Sequence, residues 1–585
     1  MFRGFSRRWL AGTVVAALLA SIGGCLVQAP TTPTYPEDRP EAWRFLSHAT
    51  FGPSEADVAD VTQRGYEAWI DQQFSMPLQL SYRHFVEKRN TEITADGVGT
   101  PSRPDQIIEG FYTRALIDPA QLRQRLVFAL SEIFVVSMVD ARLTERTHMM
   151  AGYIDTLDSN LLGTYRQLLE AVTKTPAMGM YLTYQANQKE DLANGRIPDE
   201  NYAREVMQLF SIGLHKLNLD GTLVKDARGQ PIETYDGDSV RGLAKVFTGW
   251  SNYHGPSFSS QSEIDCFFVT PLCSDPEAAY RPMISYPNRH STSDATFLGV
   301  TRPAQGSANP EASLKFALDT LANHPNVAPF FSKQLIQRLV TSNPSPAYVA
   351  RVAQRFLDTN GRLIDVVKAI LLDPEALGSP LQAGANAGKV REPILRLTAL
   401  LRAFKFDGPG LHPAGIRVKN VGITSTTDAA QSFGQSPWSS PSVFNYFRPG
   451  YVPPQSRTAA LGLVAPELQI TNDTSVTGYV NAVRNLLLYG IGTVGNQTGL
   501  RLDLSDQRPL ARSPAQLVEE MSKRLLGGTM SDALRADMVQ TLATMAVPEL
   551  DGNGSNQSAV NEALDTRTKA AILMAAVSPE FLIQK

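Results

Sequence analysis

The chain has 585 residues, of which 43% are hydrophobic and 19% are charged. This composition is typical of a folded globular protein and excludes an intrinsically disordered chain. The net charge is -3 at pH 7. It gives no basic surplus for the phosphate backbone of DNA or RNA, so we expect no nucleic-acid partner.

The first 24 residues have the pattern of an export signal. Basic residues in "MFRGFSRRWL" precede the apolar run "WLAGTVVAALLASIGG". This run is too short and too rich in small residues to be a good membrane span. The pair Arg7 and Arg8 resembles a twin-arginine signal, and general secretory export is the alternative. "IGGC" resembles a lipobox, so we predict a lipid on Cys25; a plain signal peptide with an incidental cysteine is the alternative. Residues 25–39, rich in Pro and Thr, predict a tether.

These features predict an exported protein that is held by lipid in the cell envelope, at the outer membrane or periplasmic face. If Cys25 is lipidated, Cys266 and Cys273 are the two remaining cysteines. We predict that they form a disulfide that pins a loop, because the compartment permits disulfides. A metal-binding pair is the weaker alternative, since an isolated C-x6-C lacks the spacing of a zinc site.

Helical periodicity dominates residues 40–585 and predicts a mainly α fold, a large multi-helix assembly. Strand signals are sparse, and "GTLVKDARGQPIETY" predicts a short β-hairpin that turns at Arg228 and Gly229. Two stretches without clear periodicity, 251–308 and the segment "FGQSPWSSPSVFNYFRPGYVPPQS", predict long irregular loops. We expect one helical domain over 40–585, with two lobes at about 40–380 and 381–585 as a finer division.

The stretch "PDENYAREVMQLFSIGLH" predicts a helix with one apolar and one polar face. The polar face carries Asn201, Arg204, Glu205 and Gln208. It is either a solvated surface stabilised by i,i+4 pairs or an inward polar network. A second helix, "DSVRGLAKVFTGW", places Arg241 and Lys245 on one face. Either cation could pair with Glu205 if the two helices pack together.

Several motifs recur in the order of a known family. They are "ATFGP", "ENYAREVMQLFSIGL", "FTGW", "HSTSDATFLG" and "SPEFLIQK". Together they resemble the bacterial exported members of the family called domain of unknown function 1800, from about residue 40 to the end. The family's pattern falls here on Asn201, Tyr202, Ala203, Arg204, Glu205, Thr248, Gly249, Trp250, His290, Leu298 and Gly299.

The resemblance implies no established activity. It implies a partner, because family members are often encoded beside a co-exported, sulfatase-like protein. This chain departs from the family pattern at three positions. Ser291 and Ser239 stand where the family usually has Asp, and Ala295 stands where it usually has Lys. If the missing Asp and Lys are catalytic, this chain is impaired or binds without turnover.

No zinc-protease, nucleophile-elbow, phosphate-loop or dinucleotide motif occurs in the sequence. The eight histidines are scattered, so metal and cofactor content stay undetermined. The candidate catalytic residues are Glu205, Arg204 and His290, because a carboxylate and an imidazole can act as an acid–base pair. The candidate binding residues are Asn201, Arg241 and Trp250.

Three functions from different classes remain open. The first is a protein that binds or organises a partner, such as the sulfatase-like protein. The second is a hydrolase of an envelope or extracellular polymer with a Glu/Arg/His site. The third is a polysaccharide-binding surface protein that uses exposed aromatic residues such as Trp250 and Trp438.

Overall fold

The structure is a computed structural model that describes residues 34–77, 81–96, 102–255, 260–269, 275–378, 387–408, 422–494 and 497–585. The export signal, Cys25 and Cys273 lie outside these ranges. In the described part, 24 helices account for a 54% helical content, and the few strands are short. The prediction of a mainly α fold is therefore confirmed.

Thirteen helices lie in the described residues up to Ala322. They are α1 (Arg39–Ala49), α2 (Glu55–Arg64), α3 (Tyr66–Ser75), α4 (Tyr82–Asp96), α5 (Asp105–Ile117), α6 (Gln121–Ser131), α7 (Thr147–Ser159), α8 (Tyr165–Thr173), α9 (Pro176–Tyr181), α10 (Asn201–Glu205), α11 (Gly237–Val246), α12 (Ser260–Phe267) and α13 (Pro310–Ala322).

The remaining helices follow α13 along the chain. They are α14 (Val327–Leu339), α15 (Pro346–Asp358), α16 (Leu363–Leu371), α17 (Pro374–Leu377), α18 (Pro393–Arg402), α19 (Arg457–Ala460), α20 (Asp473–Tyr489), α21 (Pro514–Leu526), α22 (Asp532–Ala543), α23 (Gln557–Ala576) and α24 (Pro579–Leu582).

The strands form small antiparallel sheets at the ends of helices. They are β1 (Trp250–Ser251), β2 (Ile284–Ser285), β3 (Ala295–Phe297), β4 (Val300–Arg302), β5 (Lys389–Val390), β6 (Lys405–Asp407), β7 (Ile491–Val494), β8 (Gln497–Asp503) and β9 (Ile583–Gln584). The pairs are β1 with β2, β3 with β4 and β5 with β9, and the three-stranded sheet has the order β6–β8–β7.

Helix starts follow the capping chemistry of the sequence. Ser54 and Asp57 form a reciprocal capping box at α2, and Thr164 and Gln167 do so at α8. Each box satisfies backbone N–H groups that the first turn leaves without partners. At α11 the cap is Asp236, whose carboxylate accepts the N–H of Ser239 at 2.8 Å.

Two helices at the centre of the molecule carry charged residues into the core. Every residue of α6 is buried, and α14, which contacts α6, is buried except for a narrow strip. Arg125 of α6 and Arg338 of α14 are therefore interior arginines. The pairing of β5 with β9 sits beside them, since Gln584 donates to the Leu339 carbonyl at 2.7 Å.

The predicted hairpin is present as a ladder of single bridges. Lys225 pairs with Pro231 across the turn, and Gly229 there has a φ of +79°, which glycine tolerates. Within 251–308, where the sequence indicated only loops, the structure contains the helix α12 and the hairpin of β3 and β4. Among the described residues, no helix is both long and apolar enough to span a membrane.

Candidate functional site

A cavity of about 1100 Å³ is lined by the end of α6, one face of α14 and the loop 443–464. The ionisable side chains that line it are Arg44, His48, Glu132, His215, Lys333, Arg338, Glu375, Arg448, Tyr451 and Lys585. Sites for small molecules have volumes of about 300–1,000 Å³. This cavity is thus large enough for a small molecule or a short segment of a polymer.

Six buried charged residues form the inner wall of the cavity and the layer behind it. We call them the charge cluster: Arg125, Glu132, Arg338, Lys389, Glu392 and Glu467. Glu132 and Arg338 reach the cavity. Arg125 and Glu392 have no exposed surface at all. Burying an ion costs several kcal/mol unless it is paired and hydrogen-bonded, so this cluster requires an explanation.

The cluster joins four segments that are distant in the chain. Arg125 and Glu132 are seven residues apart at the end of α6, which places them on one face about two turns apart. The other members come from three segments: Arg338 from α14, Lys389 and Glu392 from the stretch between β5 and α18, and Glu467 from the 3-10 helix Pro466–Ile470.

Lys389 connects the layers of the cluster. Its Nζ lies 3.1 Å from Oε1 of Glu467, and both side chains are buried. The same Nζ donates to the Arg338 carbonyl at 2.9 Å. Arg125 also donates to that carbonyl, at 2.6 Å. Two cations thus fix the backbone at the end of α14, where the Arg338 side chain turns into the cavity.

Glu132 and Glu392 form a coupled carboxyl pair. Asn445 donates to Oε1 of Glu132 at 2.9 Å, and Gln435 donates to Oε2 of Glu392 at 2.8 Å. The other oxygen of each carboxyl has no hydrogen-bond donor among the described residues. The two carboxyls also act on each other as hydrogen-bond partners, which requires that one of them is protonated while the other is ionised.

The proton of the pair resides on Glu132. Burial, followed by the charge of Glu392, raises the pKa of Glu132 to about 8, while Arg338 and Lys389 oppose that rise. Burial also acts to raise the pKa of Glu392, but the charges of Lys389 and Arg125 outweigh it and lower that pKa. At neutral pH the cavity therefore presents a protonated carboxyl with an ionised carboxylate behind it.

His48 adds a neutral imidazole to the same wall. Burial, together with the nearby cations Arg44 and Lys389, lowers the pKa of His48 to about 3. Its Nδ1 is buried and has no hydrogen-bond partner in the described residues, although the side chain lines the cavity. A buried polar atom without a partner is rare in folded proteins, so this one is available to a ligand.

The structure places Glu205 and Arg204 apart from the cavity. Glu205 ends α10 and is 8% exposed, and burial raises the pKa of its carboxyl while Arg204 opposes the rise. Arg204 points outward to Glu200, 3.5 Å away.

After Glu205 the chain continues as a π-helix, Val206–Ser211, instead of the regular helix expected from the sequence. Such insertions are frequent at functional sites, and here the π-helix brings Gln208 to the cavity.

His290 is not adjacent to Glu205. The imidazole is fully buried between Thr248 and Ser313: Nδ1 is 2.8 Å from the Thr248 carbonyl, and Nε2 is 3.0 Å from the Ser313 hydroxyl. Burial lowers its pKa, and the nearby charges that act on that pKa are Arg302 and Glu190. Both ring nitrogens are therefore engaged in holding the loop after β2 against α13.

The three candidate binding residues lie in separate environments. Asn201 donates to the Thr183 hydroxyl at 3.3 Å. Arg241 is exposed and pairs with Asp238 on its own helix. Trp250 is only 2% exposed, with the Nζ of Lys174 at 5.1 Å from its ring centroid. Neither Trp250 nor Trp438, which is 6% exposed, can stack on a sugar at the surface.

The remaining candidates concern cysteines and metals. Cys266 is fully buried, but Cys273 and Cys25 lie outside the described residues, so the disulfide and the lipidation stay predictions. Within the described ranges, no group of three or more His, Cys, Asp or Glu side chains is placed to hold a metal ion.

Sequence reasoning missed the charge cluster, although the sequence contains a signal for it. In "QLRQRLVFALSEIF", Arg125 and Glu132 are charged residues at a spacing of two turns, on either side of the apolar run "LVFAL". In a helix that is buried all round, such residues must face each other or a polar site. The partners Lys389 and Glu392, in "KVREP", have no periodic pattern that would identify them.

Comparison with protein families shows where the chain belongs. The model described as a protein of unknown function (DUF1800) matches residues 44–583, and the chain belongs to that family. The resemblance inferred from the motifs is thus confirmed. Searches of curated proteins and of solved structures found no match.

Proposed function

We propose that this member of the family is an exported, lipid-anchored hydrolase of the cell envelope, with its active site in the cavity. The observation that carries the proposal is the buried Glu132 carboxyl on the wall of a cavity of about 1100 Å³, where burial raises its pKa to about 8. A carboxyl whose pKa is raised, beside a second carboxyl that stays ionised, is an arrangement typical of general acid catalysis. This site replaces the Glu205 and His290 pair considered from the sequence.

In the proposed reaction, Glu132 transfers its proton to the oxygen of the leaving group while a glycosidic or ester bond to that oxygen breaks. A water molecule adds to the substrate, and its proton returns to the Glu132 carboxylate. While Glu132 is ionised, Arg338 stabilises it, since the Arg338 Nε lies 3.9 Å from Oε2. His48 offers its free Nδ1 to the substrate as a hydrogen-bond partner.

The envelope location rests on the sequence of residues 1–25, which combines an export signal with a lipobox-like Cys25. A lipid on Cys25 and a Pro/Thr-rich tether would hold the helical domain close to a membrane surface. Polymers of the envelope are then the substrates within reach. Radiolabelled palmitate incorporation that disappears in Cys25→Ala tests the anchor independently of catalysis.

The catalytic proposal is tested with the full chain in detergent. Peptidoglycan, capsular polysaccharide and esterified polysaccharide are incubated with the protein, and newly released ends or acyl groups are measured. We expect Glu132→Gln to slow hydrolysis by about 100-fold or more, the usual effect of a lost general acid. Glu233→Gln, a change of an exposed carboxylate in the hairpin, is the control. Absence of hydrolysis on all three polymers, or an unchanged rate in Glu132→Gln, would overturn the proposal.

A second candidate function, partner binding, is favoured by the exposed apolar side of α20. Val476 and Val480 are 53% and 37% exposed, and their i,i+4 spacing places them side by side on that face. This face is a candidate contact for the co-exported, sulfatase-like protein. Mixing the two purified proteins and measuring their co-elution, with Val480→Glu as the disrupting variant, tests it. Separate elution of the wild-type proteins would exclude this partner.

A further inference from the structure

We propose that the cavity binds an anionic group of its ligand, held against Arg338, His48 and the cationic rim. The inference rests on the proposed function and deepens it, because it names the charge class of the substrate: a carboxylate, sulfate or phosphate ester. It is tested by binding rather than by turnover, so it can fail or succeed independently of the catalytic proposal.

The lining of the cavity carries more cations than anions. Lysine and arginine contribute five side chains, and glutamate contributes two. Of the glutamates, Glu375 is already engaged, since it accepts from the Ser345 hydroxyl and lies 3.2 Å from Arg351. The other, Glu132, holds a proton. The cavity surface therefore carries positive charge that no lining carboxylate neutralises.

The layer behind the cavity reinforces this charge. Arg125, Arg338 and Lys389 face three carboxyls, so with the proton on Glu132 the charge cluster is one unit positive. Two more buried arginines, Arg391 and Arg396, adjoin it, each 8% exposed. Their guanidinium carbons lie 4.9 and 5.3 Å from the ring centroids of Phe581 and Tyr479. A buried positive charge is costly unless an anion compensates it.

Polar nitrogen atoms without hydrogen-bond partners, and cations at the rim, mark where the anion would lie. Nδ1 of His48 and Nε of Arg44 are buried without partners among the described residues, and both side chains line the cavity. His48 is only 3% exposed. At the rim, Arg448 stacks on Phe444 with 4.5 Å between its guanidinium carbon and the ring centroid. All three side chains line the same cavity, and charge-assisted hydrogen bonds from such groups are the strong contacts that an anion accepts.

Binding of the anion should be linked to the protonation of Glu132. The charged groups that face Glu132 are Glu392, Arg338, Lys389 and Arg125, and Asn445 is its neutral partner. His48 stays neutral over the pH range of interest. When Glu132 ionises, the cluster loses its excess positive charge. We therefore expect the affinity for an anion to fall as the pH rises, by at most about tenfold per pH unit for one linked proton.

The experiment measures binding of three probes to the full chain in detergent by titration calorimetry between pH 6 and 9, values chosen around the Glu132 transition. The probes are inorganic phosphate, inorganic sulfate and glucuronate, with glucose as the neutral control. We expect at least one anion, and not glucose, to bind at pH 6. Which probe binds distinguishes the phosphate, sulfate and carboxylate sources.

Two kinds of variant separate the site from general charge effects. Arg448→Gln and Lys333→Gln, at the rim, should each weaken binding by about tenfold, whereas Arg228→Gln, an exposed arginine of the hairpin, should not. Glu132→Gln keeps the protonated charge state, so it should bind as tightly as the wild type at pH 6 and lose the pH dependence. Binding that is absent for all three anions, or that responds equally to Arg228→Gln, overturns the inference.

Discussion

Lys389 and Glu467 form an ion pair in which 3.1 Å separates Nζ from Oε1, with both side chains buried. The pair links β5, which pairs with β9, to the 3-10 helix Pro466–Ile470, which follows the loop that lines the cavity. Removing one partner leaves an uncompensated buried charge, which typically costs about 3–5 kcal/mol. We expect that loss for Lys389→Met, measured as the free energy of unfolding in urea.

A lysine in an exposed ion pair provides the control for this prediction, because it differs from Lys389 in burial and not in charge. Lys405 pairs with Asp506 at 2.8 Å, but both side chains are largely exposed, so Lys405→Met should leave stability unchanged. The double variant Lys389→Met with Glu467→Leu should recover most of the loss, because neither member of this pair is left buried without its partner. A similar small effect of both Lys→Met changes would contradict the buried-pair interpretation.

The stability of the protein should depend on pH through Glu132. In the unfolded chain a glutamate titrates near about 4.3, whereas the folded environment raises the pKa of Glu132 to about 8. Between these values the folded state binds the proton more tightly. This contribution to the free energy of unfolding therefore falls as the pH rises, by at most about 1.4 kcal/mol per pH unit.

Glu132→Gln removes that titration and keeps the hydrogen bonds, since its amide can accept from Asn445 and donate to Glu392. We expect the difference in unfolding free energy between the variant and the wild type to grow from pH 5 to pH 8 and then to level off. Chemical denaturation at several pH values measures it. A difference that is constant over this range would show that Glu132 is ionised throughout.

The sequence predicts most of the helices, because apolar periodicity and capping residues are local properties. Asp38 and Ser345 cap α1 and α15 where the pattern places helix starts. The sequence pattern does not predict the π-helix after Glu205. Its wider turn is fixed by tertiary contacts, such as the bond between Asn326 and the Ile212 carbonyl at 2.8 Å.

The sequence predicted less of the candidate site than of the fold. Helical spacing identified a polar face at 201–208, and Glu205 is indeed buried. The helix that Glu205 ends packs against the second helix, as expected, but Arg241 pairs with Asp238 and Lys245 donates to the Asp294 carbonyl instead. The charge cluster depends on non-local contacts between α6, α14, β5 and a 3-10 helix. No periodic pattern encodes such contacts, and only charges within an apolar helix hint at them.

His290 is expected to act in folding and not in the cavity. In His290→Ala, the Thr248 carbonyl and the Ser313 hydroxyl lose their buried partner, which costs about 1–3 kcal/mol, and the space left adds to that loss. Thermal unfolding measures the effect, and His84→Ala, an exposed position on α4, is the control. Anion affinity should stay unchanged in folded His290→Ala; a selective loss of binding would restore His290 as a site residue.

Gly242 allows α11 to approach β3 closely. A Cβ at this position would overlap the backbone of Thr296, beginning with its carbonyl oxygen. Because backbone cannot move aside as a flexible side chain can, Gly242→Ala should force α11 and β3 apart and destabilise the protein by about 1–3 kcal/mol.

Gly237, in the first turn of the same helix, provides the matched comparison. A Cβ there meets only Nη1 of Arg241, at 3.4 Å, and the side chain of Arg241 is exposed. Gly237→Ala should therefore stabilise the protein by about 0.4–1 kcal/mol, through the lower entropy of the unfolded chain. Urea unfolding of both variants measures the contrast. If Gly242→Ala also stabilised the protein, the contact between α11 and β3 would be looser than in the structure.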